Sequence, residues 1–117
     1  MAIVLTNTGA SVDLLLRKGA AFVRTFNLDT QTGSPVDITG WTFASQIRTQ
    51  AGVLSATFTC TIVNAAQGVF SISLTAAAIA GLTVGTVYVW DLEATSPSGP
   101  FEVMRGVVNV INETTLP

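Results

Sequence analysis

From about residue 11 to residue 111 the chain alternates apolar and polar residues in short runs, each closed by Gly, Pro, Asn, Asp or Ser. A period of two sends successive side chains to opposite faces of an extended strand, so the pattern calls for sheets with one buried and one wetted face. In the first run, residues 12–16, Val12, Leu14 and Leu16 share a face, and Arg17, Lys18 and Gly19 end it. Residues 20–28 offer Phe22, Phe26 and Leu28 to one side, and residues 29–35 form a dense turn signal. A third strand is expected over 41–48 with Trp41, Phe43 and Ile47 in register, closed by residues 50–52. The fourth, over 55–63, alternates Phe58, Cys60 and Ile62 with Thr57, Thr59 and Thr61, which makes Cys60 an inward small hydrophobe.

A turn over 64–68 leads to a fifth strand, 69–74, with Phe70, Ile72 and Leu74 inside. The alanines after Thr75 then break the alternation. Alanine favours helix and Thr75 suits an N-cap, so one or two helical turns are expected, stopped by Gly81. The sixth strand, 86–95, buries Tyr88, Trp90, Leu92 and Ala94 and turns Asp91 and Glu93 outward; the last covers 101–110 after the connection at 96–100. About seven short strands with one helical turn predict an all-β, two-sheet sandwich of immunoglobulin-like type. Tyr88 is where a tyrosine corner belongs, although the cysteine pair of antibody domains is absent. No repeat or linker divides the chain. Residues 1–10 are expected to form an N-terminal arm, 11–111 the sandwich domain and 112–117 a C-terminal tail, the ends being suited to adding to a neighbour's sheet edge.

At 117 residues the length fits one domain with one core. Charged residues are only 10% of the chain, 49% are hydrophobic, and hydroxyls carry much of the solubility. A surface so poor in charge is weakly protected against association, which predicts a homo-oligomer or a permanent place in a larger assembly. The net charge is −2 and the five basic residues are scattered, so nucleic acid is not an expected partner. The first residues lack the charged start of a signal peptide, and no run approaches the roughly twenty apolar residues of a membrane span. The chain is therefore expected to stay soluble after synthesis in the cytosol. Cys60 is the only cysteine and has no intrachain partner.

No reactive constellation emerges. Asp91 and Glu93 share a strand face, as the paired carboxylates of glycosidases do, but they fall on the wet face with no aromatic platform between them. Asp13, Asp29 and Asp37 match no calcium loop spacing, and Asp29 and Asp37 suit turns. Serine and threonine nucleophiles need a positioned base, and the chain has no histidine; Lys18 is the remaining candidate base. Glycines sit in turns without a phosphate-binding pattern. Residues 112–114 fit a glycosylation sequon, which has no meaning without secretion. Arg24 breaks the alternation by sharing the face of Phe22 and Phe26; a bulge or an edge position with its head in water explains it better than a buried interfacial ion pair. The expected catalytic, cofactor-binding and metal-ligating sets are therefore all empty, and no enzyme activity is expected.

Two stretches carry a family resemblance. Residues 33–48 read Gly-Ser-Pro-Val-Asp-Ile-Thr-Gly-Trp-Thr-Phe-Ala-Ser-Gln-Ile-Arg, and residues 66–75 read Ala-Gln-Gly-Val-Phe-Ser-Ile-Ser-Leu-Thr, leading to Tyr88-Val-Trp-Asp-Leu-Glu93. With the closing Gly106-Val-Val-Asn-Val110, these resemble small immunoglobulin-like β-sandwich proteins encoded among the tail and baseplate genes of tailed bacteriophages. The resemblance runs from Arg17 to Val110 and rests on turn and core residues, so it speaks for shape more than for a site. It implies a virion structural protein, a baseplate or tail-fibre adaptor that contacts other tail proteins. Capsid decoration is the alternative within the same class. A carbohydrate-binding module using Asp91, Glu93 and an exposed Trp41 is the alternative from another class; Trp41 packed into the core would count against it.

Overall fold

A computed structural model of the chain describes residues 2–4, 10–30 and 32–112. The strands are β1 (Ala2–Val4), β2 (Ala10–Ser11), β3 (Leu14–Arg17), β4 (Phe22–Asp29), β5 (Thr42–Thr49), β6 (Leu54–Thr57), β7 (Thr59–Asn64), β8 (Val69–Leu74), β9 (Tyr88–Ser96) and β10 (Gly99–Ile111). A 3-10 turn (Ala65–Gln67) precedes β8, and one short helix, α1 (Ala76–Ala80), lies between β8 and β9. The strands form a four-stranded sheet, ordered β1-β4-β8-β7, and a six-stranded sheet, ordered β2-β10-β9-β5-β6 with β3 also on β10. The fold is thus the expected all-β two-sheet sandwich. Setting aside β1, which runs parallel to β4, its two strand orders match the immunoglobulin plan.

Alternation puts the core where the sequence requires it. Phe26, Leu28, Phe70 and Ile72 of one sheet and Ile47, Trp90, Leu92, Met104 and Val108 of the other are buried between the layers. Aromatic contacts join the sheets: Phe43 stacks on Phe70 with centroids 4.4 Å apart, and Phe58 meets both Phe22 and Trp90 at 6.0 Å. Offset and edge contacts of this kind add to what area burial alone supplies. Ile38, Ile79 and Leu82 close the core from the loops and the helix. The hydroxyl of Thr75 accepts the amide N–H of Ala78 at 3.1 Å, capping α1 as expected. Tyr88, at the start of β9, accepts the amide N–H of Thr83 on its hydroxyl at 2.9 Å, a tyrosine corner with Trp90 where antibody domains carry cysteine.

Two local expectations change, and at Arg24 one of two expected arrangements is found. The fourth strand is two strands: β6 borders the six-stranded sheet, Phe58 crosses the core with its amide on the Ser45 carbonyl, and β7 borders the four-stranded sheet. Ile62 is exposed and not inside, next to the point where the β7 register shifts between Ile62 and Asn64. Arg24 sits on no bulge, since β4 pairs with β8 without a register break. It keeps the inward face at a part of β4 that β1 does not reach, with its guanidinium 5.3 Å from the Phe26 ring centre. That is an edge position with a cation–π contact.

Residues 2–4 and 10 fall in the expected arm. They pair within this chain, parallel to β4 and β10 respectively. Residues 113–117 of the expected tail lie outside the described residues.

Candidate functional site

The outer face of the six-stranded sheet holds all five charged residues that β5, β9 and β10 contribute: Arg48, Asp91, Glu93, Glu102 and Arg105. Strand register lays them out in rows. Gln46, Asp91 and Arg105 stand side by side across β5, β9 and β10, as do Ala44, Glu93 and Glu102, and then Arg48, Val89 and Val107 in the order of the sheet. Around these rows an open groove of about 590 Å³ is lined also by Ser11, Trp90 and Gly106.

A bulge shapes this face. The pairing of β10 with β9 shifts between Glu102 and Met104, and Val103 and Met104 both point into the core. The extra residue lets Glu102 and Arg105, three apart, emerge on the same side. Their side chains form a fork: Arg105 donates from Nε and Nη2 to the two carboxylate oxygens of Glu102 at 2.7 and 2.6 Å. Hydrogen bonding to Glu102, then its charge, then the charge of Asp91, hold the Arg105 guanidinium above its ordinary pKa. Arg48 is fixed as well, donating to the Gly52 carbonyl at 2.9 Å and to Gln46 Oε1 at 2.7 Å. Glu93 faces Glu102 directly across the ladder, a like-charge pairing that favours keeping Arg105 in place.

Asp91 and Glu93 project outward as expected, and both are exposed. Trp41 lies half-buried on the inner side, edge-on to Phe101 at 5.6 Å and tilted against Phe43 at 6.3 Å. The sheet thus stands between the carboxylates and the aromatic ring that a sugar platform would need.

The other candidates have structural duties. Lys18 donates from Nζ to the Ala80 carbonyl at 3.2 Å, at the C-terminal end of α1. Asp37 Oδ1 accepts from the hydroxyl of Thr39 at 2.6 Å and from its amide at 2.9 Å, a turn that keeps the carboxyl below its ordinary pKa, the hydroxyl contributing most. Cys60 is half-buried against the core, and burial pushes its thiol pKa up, away from the reactive thiolate. Asp29 pairs through its backbone with Pro35 in the turn. Among the described residues no three His, Cys, Asp or Glu side chains come together to hold a metal, and no helix is long and apolar enough to cross a membrane.

Asp13 has a duty that its spacing does not reveal. Its Oδ1 accepts the amide N–H of Val107 at 3.1 Å, beside the point where the Val12 amide bonds to the Arg105 carbonyl and the Trp90 indole N–H donates to the Val12 carbonyl at 2.7 Å. The three bonds join the N-terminal segment to the floor of the groove.

No protein with a curated description matches the chain. The family model described as LtfC-like, beta-sandwich domain matches residues 8–110, which takes in β2 through nearly all of β10, and the chain belongs to that family.

Proposed function

We propose that the chain is a non-enzymatic structural subunit of a bacteriophage virion, a baseplate or tail-fibre adaptor that joins other tail components through protein–protein contacts. The observation that carries this reading is the outer face of the six-stranded sheet. Arg48 and Arg105 are already held in hydrogen-bonded geometry, and the groove they line is open. Preset side chains lose little freedom when a partner covers them, which is how adaptor surfaces gain specificity from charge placement. The membership in a β-sandwich domain family and the resemblance to tail and baseplate sandwiches support the same reading. Partners are other tail or baseplate proteins, and the working location is the virion.

Labelling intact particles with an antibody against this chain and locating the label by electron microscopy tests the proposal. Label at the tail tip or along the fibres is the expected result. Label over the head would move the protein to capsid decoration, and unlabelled particles would discard the virion role.

A further inference from the structure

Between Arg48 and Asp91 the chain carries no charged residue. The fold places the middle of that stretch on one lateral side of the sandwich, because β6 is an edge of the six-stranded sheet and β7 is an edge of the four-stranded sheet. The opposite edges are guarded by charge. β4, which β1 covers only over Asn27–Asp29, carries Arg24 on its uncovered part, and the segment along β10 that contains β2 and β3 carries Asp13 and Arg17, with Lys18 next to it. Charge, proline and inward-pointing ions are the means by which sheets avoid pairing edge to edge. The β6–β7 side has neither charge nor proline, and each of its pairings carries one register shift. It also exposes Val53 by 63%, Leu54 by 48%, Ile62 by 39% and Val63 by 60%.

We propose that β7 pairs antiparallel with β7 of a second copy of this chain, about a two-fold axis near Thr61 and Ile62, so that two four-stranded sheets become one continuous sheet. In an isologous contact each residue meets its own copy or a near neighbour, so any charge on the strand would meet a like charge. A neutral strand is suited to this pairing and a charged one is not. The outer residues of β7, Thr59 and Thr61, stand beside Ser73 and Ser71 of β8, an uncharged hydroxyl surface that continues across the junction.

Area sets the strength. A six-residue strand such as β7 spans about 20 Å. The contact is confined to the edge of one of the two sheets, so it lies below the usual size of a stable interface. The dimer is weak and reversible in free solution and persists where copies are held close together, as in an assembly.

Sedimentation velocity of the purified full chain, from low micromolar to near-millimolar concentration, is expected to show a monomer giving way to a dimer. Hydrogen exchange at the upper concentration is expected to slow at amides of Thr59–Asn64. Thr61 is exposed, so Thr61→Lys and Thr61→Glu are expected to keep the wild-type thermal midpoint while each weakens dimerisation by roughly tenfold or more. An equimolar mixture of the two variants is expected to associate again, because lysine then faces glutamate. A chain that stays monomeric throughout would overturn the proposal and leave this edge to a strand of another protein. Protection outside β7, or association indifferent to both Thr61 variants, would overturn it as well. The measurement uses the chain alone, so it stands apart from the virion reading.

Discussion

At Gly106 the two ends of the domain touch. A Cβ on this residue would overlap the Val12 carbonyl oxygen and lie 3.0 Å from Trp90 Nε1. The obstruction is backbone, so no side-chain rotation relieves it, and Val12 must withdraw from the indole N–H it accepts at 2.7 Å. Gly106→Ala is expected to cost about 2–4 kcal/mol through overpacking and an orphaned buried donor. Gly52 is the contrast: its φ of +95° disfavours a side chain, but a Cβ there meets nothing within 4 Å. Gly52→Ala is expected to cost about 1–2 kcal/mol, from backbone strain alone. Urea unfolding of both variants, with unchanged m-values, checks the ranking.

Asp37 gives a pH dependence at the same scale. Its folded pKa is depressed by the Thr39 hydroxyl and then by the Thr39 amide. The stability it contributes is therefore present above the unfolded carboxylate pKa and is lost as pH falls through the folded one. An NMR titration is expected to give a higher Asp37 midpoint in Thr39→Ala than in wild type. The stability gap between wild type and Asp37→Asn is expected to close in acid.

At the scale of elements, alternation makes most strands legible, and Thr75 before a run of alanines marks the helix start. The exchange between sheets at Phe58 leaves no such mark. The inner faces of both sheets share one core, so a strand that leaves one sheet for the other keeps sending the same side chains inward. Alternation continues through Ala56, Phe58 and Cys60 while the partner changes from β5 to β8. Phe58 is the pivot, 4% exposed and in contact with the rings of Phe22 and Trp90 from opposite sheets. Phe58→Ala is expected to cost about 3–5 kcal/mol. Phe58→Leu, which keeps most of the volume, is expected to cost less than half as much, and calorimetric midpoints of the two variants separate lost volume from a failed crossover.

Across the whole molecule, the candidate face was legible only in part. The outward placement of Asp91 and Glu93 follows from the period of β9, whereas the Glu102–Arg105 fork depends on a bulge that the residue pattern does not announce. The role of Asp13 is hidden for another reason: its partner Val107 is 94 residues away, and a contact between distant segments has no local signature. This joint makes the N-terminal segment two things at once. Residues 1–7 lie before the family match and contribute β1, which pairs with only three residues of β4. Their removal is expected to change stability by about 1 kcal/mol or less. Removal of residues 1–13 takes away the acceptors of the Trp90 indole and of the Val107 amide, and opens the floor beneath the groove. It is expected to cost about 3 kcal/mol or more, a large part of a small domain's total. Equal denaturation midpoints for the two truncations would show that the parallel pairing of this segment with β10 lies outside the cooperative fold. The groove would then need a partner to complete it.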